Sequence, residues 1–279
     1  MPELPEVETI RQTLKQLVIG KEIKEIMIHW PKIIQEPNDT EHFKQLLIGQ
    51  EILDIRRKGK FLLFDLNHHV LVSHLRMEGK YGVHPKAEEL LPHTHVIFQF
   101  TDDSELRYRD VRKFGTMHVF EKGTEDFIKP LSQLAKDPLE KDFSKGTFKE
   151  KVIKSTRVIK NILLDQTVIA GLGNIYVDET LFLAKVHPLT KGIDLSDAQI
   201  EKIVDSATIT LKKAVQEGGT TIRSYVNSQG QIGMFQQQLH AYGQEGKACN
   251  DCSTAIEKIK VSGRGTHYCP TCQEIAPIR

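Results

Sequence analysis

Two short apolar runs, residues 61–66 (FLLFDL) and residues 70–75 (VLVSHL), decide the fold class of the first half of this chain. Both runs are rich in residues that favour strands, and the turn-forming residues 67–69 (NHH) separate them. Similar runs occupy residues 26–28, 51–55, 96–100, 106–108 and 116–120. Short strands that are spaced regularly between turns predict a β-sandwich.

Helical patterns lie on both sides of these strands. Val7, Ile10 and Leu14 form one apolar stripe after Pro5, and a longer stripe covers residues 196–216. A polar segment with two prolines separates the strands from the second helical part. We therefore predict an α+β chain with a β-sandwich over residues 1–130, a linker over 131–143, a helical domain over 144–240 and a terminal module over 241–279. Residues 224–238 show little periodicity, which predicts a mobile loop.

The net charge hides an uneven distribution. Lys and Arg number 38 against 37 Asp and Glu, which gives a formal charge of +1. Residues 56–60, 107–113 and 145–160 nevertheless hold fourteen basic residues and two acids. One such run is typical of a solvated face. Three together favour a polyanionic partner, because phosphates are bound by Lys and Arg gathered on one surface.

The four cysteines lie close together near the end of the chain, at Cys249, Cys252, Cys269 and Cys272. Two-residue spacing lets each pair of thiolates take one edge of a tetrahedron, which predicts a structural zinc site rather than a disulfide framework. A site with four thiolates has no open coordination position, so catalysis by the metal is not expected. Arg264 lies between two glycines inside this module, where it is either a plain flexible tip or a guanidinium placed against phosphate.

The N-terminus offers a candidate nucleophile. Pro2 is small enough for Met1 to be removed, which would leave a secondary amine beside the Glu3 carboxylate. An α-amino group loses its proton far more readily than a lysine, so part of it is neutral near pH 7. From these residues alone, an ordinary N-terminal residue remains the simpler interpretation.

Several motifs, taken together, resemble one family. They are residues 1–9 (MPELPEVET), 57–60 (RKGK), 73–79 (SHLRMEG), 109–115 (RDVRKFG), 171–176 (GLGNIY) and the four cysteines, in that order. This set resembles bacterial formamidopyrimidine-DNA glycosylase from Pro2 to Cys272. The resemblance implies a helix-two-turns-helix in the helical domain and a four-cysteine zinc finger with one structural Zn²⁺. It also implies an enzyme that removes 8-oxoguanine and formamidopyrimidines from duplex DNA and then cleaves the strand by β,δ-elimination.

The resemblance implies roles for particular residues. Pro2 would attack C1′ of the damaged nucleotide, Glu3 would move protons, Lys60 would be a further catalytic lysine, and Arg264 would grip the phosphates beside the lesion. Three side chains would fill the hole that a flipped nucleotide leaves, namely Met77, Arg112 and Phe114. Their polar and basic neighbours favour exposure of Met77 and Phe114 over a place in the core.

Further residues would contact DNA or the flipped base. Asn174 and Lys160 would bind backbone phosphate, and Arg157 is a weaker candidate. His74 and His93 are candidate DNA contacts, and a structural role stays open for both. The residues that would line the base pocket are Glu78, Arg223, Ser224, Tyr225 and Tyr242, of which Arg223 to Tyr225 align with the family's lesion-capping loop.

Two alternative functions remain open. An endonuclease VIII-type glycosylase for oxidised pyrimidines shares the Pro-Glu start, the catalytic lysine and the finger. Leu4, the set of Met77, Arg112 and Phe114, and the long segment 217–238 favour the purine enzyme. A non-enzymatic zinc-ribbon DNA-binding protein would need only the basic runs and the finger. A dinucleotide loop at residues 171–173 is rejected, because a third glycine and a preceding strand are missing.

The sequence also bears on location and partners. No apolar stretch is long enough to cross a membrane, and the N-terminus is acidic where a signal peptide would be basic. We expect a cytoplasmic bacterial protein that associates with the nucleoid through DNA. We expect damaged double-stranded DNA as its partner, a monomeric state and no membrane association.

Overall fold

The computed structural model describes residues 1–220 and 238–275. Of these residues, Met1–Ser132 and 218–220 form one compact unit, and Gln133–Glu217 and 238–275 form another. The strand-rich first unit and the mainly helical second unit confirm the predicted α+β class. The finer division at residues 130, 143 and 240 stays a prediction.

The first unit contains two sheets and two helices. A four-stranded sheet has the order β1-β7-β8-β6, and a five-stranded sheet has the order β2-β9-β5-β4-β3. The bounds in chain order are α1 (Leu4–Val18), β1 (Ile23–Ile28), β2 (Ile34–Glu36), α2 (Thr40–Leu47), β3 (Asp54–Lys58), β4 (Phe61–Asp65), β5 (His69–His74), β6 (Lys80–Pro85), β7 (Thr94–Phe100), β8 (Ser104–Arg109) and β9 (Thr116–Glu121).

One core joins these elements. The predicted α1 stripe is fully buried, and it packs in the same cluster as Phe64 of β4 and Phe98 of β7. The cluster draws on both sheets, as a sandwich core does. Apolar burial of this kind contributes about 25 cal/mol per Å², so this shared core stabilises the packing of both sheets and α1.

Three elements of the first unit were not predicted from the sequence. Strand β6 contains Gly82 and is polar, and it is tolerated as an edge strand because only one side of it must pair. Helix α2 is short and buries only Phe43 and Leu47. It begins at Asp39, whose carboxylate accepts a hydrogen bond from the His42 N–H at 2.7 Å. Strand β2 has three residues and pairs in parallel with β9.

The second unit is built from four helices and one hairpin in the described residues. The bounds are α3 (Lys145–Ile153), α4 (Ile159–Leu164), α5 (Asn174–Ala184), α6 (Asp197–Gln216), β10 (Glu257–Val261) and β11 (Arg264–Tyr268). The predicted helix over 196–216 is confirmed, and Ser196 and Gln199 form its capping box. Helix α5 lies at the centre of the unit, because it packs against α4, α6 and β11.

Candidate nucleic-acid interface and metal site

The start of the chain is fixed by a buried carboxylate. The Glu3 N–H donates to Glu6 Oε2 at 2.9 Å, and Glu6 Oε1 accepts from the Thr220 N–H at 2.8 Å and the Thr220 hydroxyl at 3.1 Å. Gly219 permits this approach, because a Cβ there would come within 2.7 Å of Glu6 Oε1. Sequence reasoning gave Glu6 no role. Glu6 thus holds in place the residue that follows the candidate nucleophile.

An open groove of about 550 Å³ lies at the N-terminus of the first unit. Pro2 is buried, whereas Met1 is exposed and lines the groove. The three candidate void-filling residues also line it: Met77, Arg112 and Phe114. Met77 is 38% exposed and Phe114 is 51% exposed, so the predicted exposure of both is confirmed. The Arg112 guanidinium carbon lies 4.7 Å from the centre of the Phe114 ring.

The loop that carries Arg112 and Phe114 is folded around Asp110. The buried Asp110 carboxylate accepts hydrogen bonds from the N–H groups of Arg112 at 3.0 Å, Phe114 at 2.9 Å and Gly115 at 2.8 Å. A short acidic side chain that binds the backbone just after it is a recognised turn signal, and it could have been found in the sequence. Asp110 therefore orders both candidate residues.

A single tyrosine hydroxyl lies beneath both segments that carry these residues. A Cβ at Gly115 would lie 1.7 Å from Tyr108 Oη, and a Cβ at Gly79 would lie 2.3 Å from the same atom. The hydroxyl in turn donates to Asp110 Oδ2 at 3.4 Å. Only glycine fits at either position. The segment of Met77 and the loop of Phe114 thus pack against the same buried side chain, that of Tyr108.

Lys60 lies on a hairpin turn between β3 and β4. Lys58 of β3 pairs with Phe61 of β4, so Gly59 and Lys60 form a two-residue loop, with Gly59 at φ +55°. The Lys60 side chain is buried. Strand β5 pairs next to β4 and places His74 opposite Phe61.

The two candidate histidines differ in environment. His74 is buried edge-on against Phe61, and its Nδ1 accepts from the Arg76 N–H at 2.9 Å. Burial lowers the pKa of His74 to about 3, so its imidazole is neutral at physiological pH. His93 is exposed with a left-handed backbone at φ +66°, and its carbonyl accepts from the Asp110 N–H at 3.1 Å. The third candidate of this part of the chain, Glu78, is half-buried.

Most cations of the three basic runs have a carboxylate partner in the same chain, in several cases at the surface. Eight of the fourteen form ion pairs with carboxylates, and these are Arg56, Arg57, Lys58, Arg107, Lys145, Lys149, Arg157 and Lys160. The expectation that all three basic runs present free cations to a polyanion was therefore wrong, because carboxylates pair with these cations on the strands and helices. By contrast, four cations that line the groove have no carboxylate within 4 Å among the described residues: Lys32, Arg76, Arg112 and Lys113.

The helical candidates also lie in different environments. Asn174 begins α5, and its Nδ2 donates to the Gly265 carbonyl at 2.9 Å, while its buried Oδ1 has no partner among the described residues. Arg157 is exposed and pairs with Asp165 at 2.8 Å. Lys160 is fully buried and pairs with Asp178, so in this conformation it presents no surface to a phosphate.

The hairpin of β10 and β11 exposes Arg264 beside its turn. Ser262 and Gly263 form the two-residue connection with φ of +47° and +82°, as a tight hairpin turn with the twist of the strands requires. The Ser262 hydroxyl accepts from Asn161 Nδ2 at 2.7 Å. Because Asn174 bonds the neighbouring Gly265, the structure brings two predicted DNA contacts, Asn174 and Arg264, to the same hairpin.

The four cysteines fit a tetrahedral zinc ion. Their sulfur atoms all lie within 4.8 Å of one another. The Cys252–Cys269 and Cys249–Cys272 sulfur pairs are 3.4 and 4.0 Å apart, which brackets the separation of about 3.8 Å that zinc–sulfur bonds of about 2.3 Å require. Backbone N–H groups point at Cys249 and Cys269 sulfur at 3.4 Å each. The cluster is a closed, structural site for one zinc ion.

Two adjacent acids that sequence reasoning missed hold this module on α5. Asp178 binds Lys160 and accepts from the His267 N–H at 2.9 Å. Glu179 accepts from the N–H groups of residues 240, 241 and 242 at 2.8–2.9 Å. Their signal is visible in hindsight as an acidic pair inside the apolar helix NIYVDETLFLA. Tyr242, a candidate for the base pocket, is half-buried, and its ring packs edge-on against His267 at 5.0 Å.

Some candidates lie outside the described residues. These are Arg223, Ser224 and Tyr225, together with most of the predicted mobile loop. Among the described helices, none is long and apolar enough to cross a membrane.

The fold and the site define a class of protein. An exposed groove with cations and an aromatic side chain, together with a four-cysteine finger that displays arginine, is what a zinc-finger protein that binds nucleic acid requires. Family models match three successive parts of the chain. Residues 1–117 match the formamidopyrimidine-DNA glycosylase N-terminal domain, residues 134–226 match its H2TH domain, and residues 246–275 match the zinc finger found in FPG and IleRS.

Similar proteins cover nearly the whole chain. The formamidopyrimidine-DNA glycosylase of Shouchella clausii is 57% identical over 98% of this chain and 99% of its own length, and that of Bacillus subtilis is 54% identical over the same shares. The structure of Lactococcus lactis Fpg with abasic-site DNA has a TM-score of 0.91 and 40% identity, covering 98% of this chain and 100% of that one. The chain belongs to the formamidopyrimidine-DNA glycosylase family, as its motifs predicted.

Proposed function

We propose that this chain is a base-excision-repair glycosylase and AP lyase that removes 8-oxoguanine and formamidopyrimidines from duplex DNA. The observation that carries the proposal is the groove, where Met77, Arg112, Phe114 and the start of the chain meet. Its four cations that have no carboxylate within 4 Å in the described part of the chain attract a polyanion, and the exposed side chains of Met77 and Phe114 can enter a base stack. A Lactococcus lactis relative has been crystallised with DNA that contains Fapy-dG.

The chemistry begins at Pro2. Removal of Met1, which lines the groove, frees the secondary amine of Pro2. The amine forms a bond to C1′ of the damaged nucleotide as the glycosidic bond breaks and the base leaves with a proton. The sugar ring then opens when O4′ takes a proton, and an iminium forms, which a secondary amine can do because the product needs no N–H. Glu3 is the carboxylate that moves these protons.

Strand cleavage follows from the positive charge of the iminium. It acidifies C2′–H, so loss of that proton breaks the C3′–O bond, and a second elimination breaks the C5′–O bond. Both phosphates leave, and a one-nucleotide gap remains. On this proposal Lys60 acts as a further catalytic lysine at its hairpin turn, and Arg264 holds the phosphates beside the lesion.

The exposed groove residues support the flipped state. A flipped nucleotide leaves a hole that Met77 fills as a flexible apolar plug and Phe114 enters as a wedge, while Arg112 hydrogen-bonds the orphaned base. Asn174, His74, His93 and Arg157 are proposed as further DNA contacts. Lys160 belongs to this set only if its ion pair with Asp178 opens. Glu78, Arg223, Ser224, Tyr225 and Tyr242 are proposed for the base pocket.

The finer statements about organisation are part of the same proposal. The sandwich of residues 1–130 would carry catalysis, residues 144–240 the helix-two-turns-helix with the lesion-capping loop, and residues 241–279 the finger. A monomer that acts on damaged double-stranded DNA suffices, because no residue of the mechanism needs a second copy. Its place of action would be the cytoplasm, on the nucleoid.

Borohydride trapping tests the chemistry. With duplex that carries 8-oxoguanine opposite cytosine, we expect a covalent adduct that peptide mapping assigns to Pro2. The matched control is the same protein with an N-terminal extension, which has no free amine at Pro2 and should give no adduct, whereas a C-terminal extension should trap normally. An adduct on a lysine, or equal trapping by the N-terminally extended protein, contradicts the mechanism. Faster excision of thymine glycol than of 8-oxoguanine would instead indicate an enzyme of the endonuclease VIII type.

A Gly115→Ala substitution tests the placement of the wedge. The new Cβ would meet the Tyr108 hydroxyl at 1.7 Å, so the loop of Arg112 and Phe114 must shift. A misplacement of about 1 Å costs on the order of 100-fold in rate, and we expect that loss in single-turnover excision of 8-oxoguanine. Gly146→Ala is the control, because its nearest contact is an ordinary 3.8 Å. Wild-type excision by Gly115→Ala would show that the loop does not position the wedge.

A further inference from the structure

Trp30, Lys32 and Lys113 form a cluster at the groove. Lys113 belongs to the motif of residues 109–115, but the proposed mechanism gives none of the three residues an individual role. The Lys113 ammonium lies 4.1 Å from the centre of the Trp30 ring, and the Lys32 ammonium lies 5.7 Å from it. Both lysines line the groove and are exposed, while Trp30 is half-buried. One aromatic ring thus gathers two cations.

The backbone holds this cluster in position. Trp30 precedes the short 3-10 turn Pro31–Ile33, and its carbonyl accepts from the Ile33 N–H at 3.2 Å. Lys113 has a left-handed backbone at φ +59°, and its N–H donates to the Asp110 carbonyl at 3.2 Å. Lys113 therefore belongs to the same Asp110 loop that carries Arg112 and Phe114. A ligand of the cluster would lie next to the wedge.

Comparison with the other lysine–aromatic pairs shows what is unusual here. Lys21 lies 5.5 Å from the Phe100 ring centre and is also ion-paired with Asp102. Lys185 lies 4.3 Å from the Phe182 ring centre and is also ion-paired with Asp251. In the described part of the chain, no carboxylate lies within 4 Å of the Lys32 or Lys113 ammonium. Two like charges at one ring without an acid favour an anion that joins them from outside.

We propose that Trp30, Lys32 and Lys113 form a phosphate-binding site for the DNA backbone that flanks the wedge. The proposal rests on the proposed function, which brings duplex DNA to the groove. Trp30 contributes by keeping both ammonium groups at the rim through cation–π contacts, which lowers the entropic cost of binding. The lysines carry no base specificity, so they set affinity and register rather than lesion choice.

The salt dependence of DNA binding tests this site. Log affinity falls as log salt rises, and each lost phosphate contact makes this slope less steep by about 0.9. The DNA is a duplex with a stable abasic-site analogue. Lys32→Gln and Lys113→Gln are each expected to make the slope less steep by about 0.9, and the double variant by about 1.8. Lys21→Gln is the matched control, since its ammonium also lies on an aromatic ring but is paired with Asp102, and its slope should equal that of the wild type.

The single tryptophan of the chain gives a second readout. Trp30 emission is expected to change on DNA binding with the same Kd as the affinity assay, and this change should shrink in the double variant. An unchanged slope in the double variant, or Trp30 emission that does not respond to DNA, would refute the site. Borohydride trapping at saturating protein separates the two proposals. Absence of wild-type trapping refutes the glycosylase chemistry, whereas normal trapping with an unchanged slope refutes the phosphate site alone.

Discussion

Chelation of zinc is expected to unfold the hairpin of β10 and β11 and to abolish tight binding of damaged duplex. The apolar residues around the cysteines are few, namely Phe182, Ala241 and Ile256. A two-stranded hairpin with so small a core is at best marginal in water. Binding of zinc to such modules contributes on the order of 10 kcal/mol, which is far more than the hydrogen bonds from Asp178 and Glu179 can replace.

Hydrogen exchange provides the measurement. The amides that mark the fold of the module are Cys249 N–H, which donates to the Thr254 carbonyl at 2.8 Å, and Ile256 N–H, which donates to the Lys247 carbonyl at 2.8 Å. Both should lose protection on chelation and recover when Zn²⁺ is restored, whereas Mg²⁺ should not restore them. Amides of β7 in the first unit serve as the internal control. A metal-free protein that keeps this protection and its DNA affinity would refute the structural role of the metal.

An Arg264→Ala variant distinguishes unfolding of the zinc module from the loss of a single phosphate contact. An Arg264→Ala protein keeps all four cysteines and the Ser262–Gly263 turn, so its hairpin should stay protected. Its affinity for damaged duplex should still fall, because the guanidinium is exposed beside the turn and is proposed to hold phosphate. If both hold, the finger acts by displaying Arg264.

The candidate residues for chemistry and DNA contact could be named from the sequence, whereas most of the residues that position them could not. The exposure of Met77 and Phe114 was predicted from their polar neighbours. The zinc site was predicted from the spacing of the four cysteines. Asp110 could have been found from its local turn signal, but Tyr108 and Glu6 act through contacts that depend on the fold. The Tyr108 hydroxyl, for example, approaches Gly79 and Gly115, which lie far apart in sequence. Spacing along the chain does not contain that information.

The basic runs show the same limit for electrostatics. Arg56 and Lys58 belong to one of the three basic runs. Arg56 pairs with Asp65 and Glu125, and Lys58 pairs with Asp126, so two of these three partners come from about seventy residues further along the chain. A count of charges cannot show which cations are neutralised, because pairing is decided by tertiary contacts. The uncompensated cations instead include Lys32 and Arg76, which lie outside the three runs.

Asp178→Ala is expected to destabilise the second unit by about 3–5 kcal/mol. The substitution would leave the fully buried Lys160 ammonium without its carboxylate, and it would leave the buried His267 N–H without its acceptor. A buried ammonium that loses its neutralising carboxylate and a buried N–H that loses its acceptor are both costly. Denaturant unfolding of the full chain measures the loss. Asp205→Ala is the control, because its pair with Lys145 is more than half exposed and should contribute about 1 kcal/mol or less.

Lys160→Met then distinguishes a structural lysine from a phosphate-binding one. Methionine has a similar length and no charge, and Asp178 would keep its bonds from the His267 N–H and ring, so the loss of stability should be smaller than for Asp178→Ala. If Lys160 is structural, the salt slope of DNA binding stays at the wild-type value. A slope that is less steep by about 0.9 would mean instead that, in wild-type protein, the Lys160–Asp178 ion pair opens and the ammonium reaches a phosphate in the complex. Because the pair is closed in the described conformation, we expect an unchanged slope, and the DNA contact of this region then depends on Asn174 and Arg264.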